Sequence, residues 1–249
     1  MKVFKKTKWA LKLVVVIFGA SMIALSCSKD SSSSAYTCAT CHDTPDALAV
    51  NDASAKGVYK GIEVGSTGIL SINIQNGSST ITGTMVLDDV TVLLSTSVVY
   101  VAGQAYVAPF TGIFNGNPIS ITFSVALDGT TPLVTASNIP GHPDATFTLY
   151  KETSTSLIEA FQGTYSKTGG ETGVFNILLS RAINKWGGIA LNNASGSTAD
   201  RIEGTINSSN HLIVTENGVD IGTISGDEIH GSFVDGNSAT ITVTGHRTL

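Results

Sequence analysis

Cys38-Ala39-Thr40-Cys41-His42 is the stretch in which residue types and spacing most directly suggest chemistry. Two thiols separated by two residues and followed at once by an imidazole match the Cys-x-x-Cys-His pattern of covalent haem attachment. In that chemistry Cys38 and Cys41 add to the haem vinyl groups, and His42 takes the iron from one side. A haem also needs covering helices and usually a second axial ligand such as Met or His. Only residues 43–56 separate His42 from strand-like sequence, and the next methionine and histidine are Met85 and His142. A redox-active Cys-x-x-Cys belongs at the start of a helix in a βαβ unit, and no parallel unit follows here. Zinc takes about four ligands, and the adjacent Cys41 and His42 do not easily face one metal, so no metal site is expected. In an oxidising compartment the plainer expectation is a local disulfide between Cys38 and Cys41, or idle thiols. Covalent haem at Cys38, Cys41 and His42 is the alternative.

Other chemistry-bearing residues are dispersed. His142 lies in Pro140-Gly141-His142-Pro143-Asp144, which reads as a turn rather than half of a Ser/His/Asp site. His211 and His230 fall in strand-like sequence. Asp88-Asp89, Asp227-Glu228 and the Asp200–Glu203 stretch offer paired carboxylates of the kind acid–base catalysis uses, but turn acids are usually solvated. Asp235-Gly236-Asn237 lacks the further carboxylates of a calcium cage. The chain has no Gly-x-Ser-x-Gly, His-Glu-x-x-His or Gly-x-x-x-x-Gly-Lys. No catalytic residue is assigned, and the expectation is a protein that is not an enzyme. Trp186, Tyr106, Phe110 and Tyr100 are the aromatics that would stack on a sugar ring or hold an apolar ligand if exposed.

The beginning of the chain reads as an address. Lys2, Lys5, Lys6 and Lys8 precede an apolar run from Leu13 to Leu25. That run is shorter than the roughly 20 residues that span a bilayer, and it has the form of a secretory signal. It ends in Ala24-Leu25-Ser26-Cys27, which resembles the lipobox of bacterial lipoproteins. The resemblance covers about the first 30 residues. It implies removal of residues 1–26 and a diacylglyceryl thioether on Cys27, whose acyl chains (palmitate among them) hold the protein at a membrane. Two chains anchor stably where one does not. Ser28-Lys29-Asp30 and the serines 31–34 look like the start of many Bacteroidetes-type lipoproteins, which implies an outer-membrane address, periplasmic or surface-exposed.

Charge narrows the partners. Loss of residues 1–26 removes Lys2, Lys5, Lys6, Lys8 and Lys12 and no acid, so the net charge moves from −5 to −10. An acidic surface without clustered Lys and Arg argues against a nucleic-acid partner and against electrostatic docking on anionic lipid. The membrane link is then the lipid alone, and a glycan or a protein remains as possible ligand.

The elements that must position these residues are strands. Charged residues make up 13% of the chain and glycines number 26, a composition far from that of a long-helix protein, while 42% hydrophobic residues suffice for a core. Ile119, Ile121, Phe123 and Val125 alternate with hydroxyl residues, as do Phe147 and Leu149, and Ile241 and Val243. Period two with hydroxyls between marks half-buried antiparallel strands. Asn76-Gly77, Asn115-Gly116, Asp128-Gly129, Asn217-Gly218 and Asp235-Gly236 punctuate them as tight turns, giving about fourteen to sixteen strands of usual length.

Two halves resemble each other. Gly57-Val58-Tyr59 aligns with Gly163-Thr164-Tyr165, and Gly68-Ile69-Leu70-Ser71-Ile72 with Gly173-Val174-Phe175-Asn176-Ile177. Gly112, Gly116, Ile119 and Phe123 align with Gly222, Gly226, Ile229 and Phe233, and residues 145–149 with 239–243. Between the halves, Ser156-Leu157-Ile158-Glu159 has capping-box form, which predicts a short helix. The expected organisation is a signal peptide (1–26), a flexible tether carrying Cys-x-x-Cys-His (27–56), a first β unit (57–150), a linking helix (151–162) and a second β unit (163–249). The fold class is all-β: two tandem related antiparallel meander barrels or sandwiches. The expected role is that of a lipid-anchored envelope protein with a non-enzymatic binding or structural function.

Overall fold

The computed structural model describes residues 35–64, 68–194 and 199–249. The signal peptide, Cys27 and the serines 31–34 lie outside the described residues. Among the described residues, sixteen strands follow a single 3-10 turn at Ala49–Asn51. The first eight are β1 (Gly57–Val64), β2 (Ile69–Ile74), β3 (Ile81–Leu87), β4 (Val90–Ser95), β5 (Tyr106–Phe114), β6 (Asn117–Val125), β7 (Leu133–Asn138) and β8 (Thr146–Glu152). The second eight are β9 (Ile158–Lys167), β10 (Thr172–Ser180), β11 (Lys185–Asn192), β12 (Asp200–Ile206), β13 (His211–Val214), β14 (Asp220–Ser225), β15 (Glu228–Val234) and β16 (Thr240–Arg247).

Each set of eight is an antiparallel meander whose last strand returns to pair with its first. In the second set β16 pairs with β9 and the barrel is closed, whereas the first runs β7-β6-β5-β4-β3-β2-β1-β8 and lacks only the β7–β8 ladder. Alternation decides what faces inward. Along β6, Ile119, Ile121, Phe123 and Val125 are buried while Ser120, Thr122 and Ser124 are less so. The five Asn-Gly and Asp-Gly pairs all fall in connections between strands; at Asn115-Gly116 both residues have positive φ (48° and 78°), as a tight hairpin requires.

The expected linking helix is absent. Thr153 and Ser156 form an isolated bridge, and Ile158 already opens β9. The capping-box side chains are used elsewhere: Ser156 Oγ shares a hydrogen bond with Ser180 Oγ (2.7 Å), and Glu159 accepts from Arg181 Nε (2.7 Å). A helix through residue 162 would strip the first half of β9 from Asn176–Ser180 of β10 and from His246 and Arg247 of β16, opening that end of the second barrel, and that cost outweighs a local capping preference.

The repeat is real in strand order but lies in a different register from the one the aligned residues suggest. Gly61 sits between Leu149 and Leu70, as Gly163 sits between Gly245 and Phe175. Ile72 faces Gly83 as Ile177 faces Gly188. Tyr59 therefore corresponds to Phe161, each opposite that isoleucine, and not to Tyr165. Gly112 lies on the fifth strand of its barrel and Gly222 on the sixth of the other, so they are not equivalent.

The barrels pack through their outer faces. Ile62 from β1 meets Ile158, Ala160, Leu178 and Ile189 of the second barrel, with Tyr150 at the margin. Beside this contact the fully buried Glu152 carboxylate accepts from Lys60 Nζ (2.7 Å), Ile158 N (3.1 Å) and Asp46 N (2.6 Å).

Candidate functional site

The second barrel encloses a cavity of about 250 Å³ in one half of its interior. The half toward β16's end at Arg247 is packed solid by Phe161, Leu179, Ile206, Leu212 and Ile224. Trp186, 1% exposed, lies across the barrel as the cavity floor, its indole N–H donating to Thr205 O (3.2 Å). Above it the walls are Phe175, Ile177, Ile202, Ile221, Ile229, Phe233, Ile241 and Val243. Eight-stranded barrels have interiors just wide enough to be filled by side chains or to hold one small ligand.

Small residues decide between these outcomes. Phe175 faces Ala190 across the β10–β11 ladder, while at the equivalent place in the first barrel Leu70 faces Met85. Gly245 stands where the first barrel has Leu149. Met85 is fully buried and Leu149 nearly so; in the second barrel Ala190 leaves room where Met85 fills the first, while the space over Gly245 is taken by the Phe175 ring. The remaining large rings lie over glycines. A Cβ on Gly163 would come 2.6 Å from Phe175 Cζ, and one on Gly204 would come 2.5 Å from Trp186 Cε2.

The mouth is polar. Lys167, Glu171 and Asp200 line it. Lys167 Nζ is 2.6 Å from Asp235 and 3.8 Å from Glu171. Tyr165 donates its hydroxyl to Glu171 Oε1 (3.1 Å). Burial, then that hydrogen bond and the charges of Glu171 and Asp200, push the Tyr165 hydroxyl up to about 12, so it stays protonated. A second, more polar recess of about 420 Å³ adjoins this rim, shares Ile202, Ile221 and Phe233 with the cavity, and extends past Arg201, Glu203 and the 215–217 turn.

Cys38 and Cys41 are joined as a disulfide. A disulfide and a bis-thioether haem are mutually exclusive uses of the same two sulfurs. His42 Nδ1 is hydrogen-bonded to Asp46, and Arg247 donates to the His42 carbonyl. The described part of the segment expected as a tether packs on the barrels. Cys38 N donates to Asp227 Oδ2 (2.8 Å), Tyr36 hydroxyl to Arg247 O (3.1 Å), and Lys151 Nζ to the carbonyls of Asn51, Asp52 and Ser54. Ala47, Asn51 and Ala55 are buried.

The other sequence candidates separate. His142 pairs with Asp88 (3.0 Å) at the end of the first barrel, with the Phe114 ring beside it. His211 pairs with Asp220 and His230 with Glu228. Asp227 binds Arg247 and Cys38 N, and Asp235 bonds the turn amides of Asn237 and Ala239. Among the described residues no group of three His, Cys, Asp or Glu is placed to hold a metal ion. Tyr106 and Phe110 belong to the first barrel's core, with Tyr100 packed against it; of the four singled-out aromatics, Trp186 alone lines the cavity. Glu63 was not singled out. Its side chain is fully buried on the inward face of β1, and neither carboxyl oxygen has a hydrogen-bond partner among the described residues.

No protein-family model, no curated protein and no solved structure matches the chain.

Proposed function

We propose that the chain is an envelope lipoprotein, anchored by lipid on Cys27 at the outer membrane, whose second barrel binds a small, largely apolar ligand without transforming it. The observation that carries the binding role is the apolar cavity of about 250 Å³ with a polar rim inside a closed eight-stranded barrel. Apolar walls with a few convergent polar groups are the common form of a small-molecule site. The anchor rests on the lipobox resemblance at Ala24-Leu25-Ser26-Cys27.

Trp186 makes the test direct. The chain has two tryptophans, Trp9 and Trp186, so the protein from Cys27 onward reports from the cavity floor alone. Titration with short alcohols such as octanol is expected to shift or quench its emission saturably, and Ala190→Phe, which fills the cavity, is expected to abolish the response. Octanol that leaves the emission unchanged would refute the binding role. The anchor is tested separately: Cys27→Ala or globomycin should leave an unprocessed precursor, and normal maturation would end that part of the reading. Peroxidase staining of a denaturing gel tests covalent haem at Cys38, Cys41 and His42, and a colourless band is expected.

A further inference from the structure

We propose that the cavity of the second barrel selects ligands whose apolar tail carries a protonated amine, and that the Asp200 carboxylate receives that amine; this rests on the binding role proposed above. The tail is set by volume. About 250 Å³ holds roughly eight groups of water size, at about 30 Å³ each, so a chain of about six to eight carbons fills it.

The head is set by the charges at the mouth. Three carboxylates (Glu171, Asp200 and Asp235) stand against one ammonium, Lys167. That ammonium is already committed to Asp235 at 2.6 Å and Glu171 at 3.8 Å, so among the described residues lining the mouth no cation is left to receive an anionic head; Arg201 in the adjoining recess is engaged with Thr148 Oγ1 and Phe147 O. Asp200 differs from the other two acids. Its carboxylate has no hydrogen-bond or ion-pair partner among the described residues, yet its charge is felt at the Tyr165 hydroxyl across the mouth. Its ladder position continues the Phe175–Ala190 row, the row in which Ala190 opens the cavity. An ammonium at the end of a tail seated over Trp186 therefore meets a carboxylate that no described residue engages, whereas a carboxylate head meets net negative charge.

The test compares 1-octylamine, 1-octanol and octanoate, which share a chain length, against the protein from Cys27 onward with Cys27→Ser to keep it unlipidated. Binding is read by Trp186 emission and calorimetry at neutral pH and low salt. Octylamine is expected to bind roughly three- to fivefold tighter than octanol and octanoate weaker than octanol, the size suited to a partly exposed ion pair. In Asp200→Asn the ratio of octylamine to octanol affinity is expected to fall to about one. Octanol binding with no amine preference, or a preference that Asp200→Asn leaves intact, would overturn the head-group inference while sparing the cavity role. Failure of all three to bind would overturn the cavity role and this inference with it.

Discussion

Glu63 shows what a single residue can cost its own fold. It lies on the inward face of the first barrel, fully buried and without a hydrogen-bond partner for its carboxylate among the described residues, where ionisation is opposed by desolvation. Burial pushes its carboxyl from an ordinary 4.5 up to about 7, the charge of His142 pulling back slightly and that of Asp88 adding to the rise. The sign follows from proton counting. Between about 4.5 and 7 the folded chain holds a proton that the unfolded chain has released. Stability is therefore greatest at the acid end of this window and falls as pH rises through it, then levels above the folded value. The difference amounts to roughly 3 kcal/mol. Glu63→Gln cannot ionise, so its stability should lack this fall. Urea denaturation of both proteins at pH 5 and pH 8 reads the difference, which should emerge as a loss specific to the parent. Equal pH dependence in the two would show that Glu63 does not titrate in this window.

At the scale of strands, closure depends on pairing large rings with residues that have no side chain. Gly204 faces Trp186 across the β11–β12 ladder, and a Cβ there would press on the indole and on the Ile213 carbonyl. Gly204→Ala must push Trp186 toward the cavity or part β12 from β13. Overpacking of this kind costs about 1–3 kcal/mol, and the variant should also show altered Trp186 emission and weakened octanol binding. Normal stability with unchanged emission would mean that the ring has slack. The same strands mark how far the sequence could be read. Alternation and the Asn-Gly and Asp-Gly pairs disclosed the strands, and the similar halves disclosed two meanders, because these are local patterns of period and turn. Register was not legible. Period-two sequence matches itself at every slip of two residues, so Tyr59 aligned with Tyr165 although the ladders put Phe161 in its place. The cavity was hidden for a related reason: it arises where Ala190 faces Phe175 across the β10–β11 ladder, and neither residue is unusual alone. The capping box at Ser156 was a genuine local preference overridden by the partners that β9 must supply.

Across the whole molecule, the two barrels share a dry contact and buried charge. Lys60 and Glu152 belong to the first barrel, Glu159 and Arg247 to the second, and residues 36–47 bridge both through Asp46 on Lys60 and Asp43 on Arg247. Tyr36 is held at the Arg247 end of the second barrel, the end away from the cavity mouth. Such a junction predicts that the barrels unfold together. Ile62 tests this because it is built on β1 of the first barrel yet packs on Ile158, Ala160, Leu178 and Ile189 of the second. Ile62→Ala removes buried methyl groups at a site 1% exposed, which typically costs about 2–5 kcal/mol. If the chain folds as one cooperative unit, that loss appears in the second barrel too: Trp186 emission and far-ultraviolet dichroism should keep a common midpoint, and both should move to lower denaturant. Independent barrels would behave otherwise, with the Trp186 transition fixed and the dichroism splitting into two steps. That outcome would reduce the junction to a contact between separately folding domains.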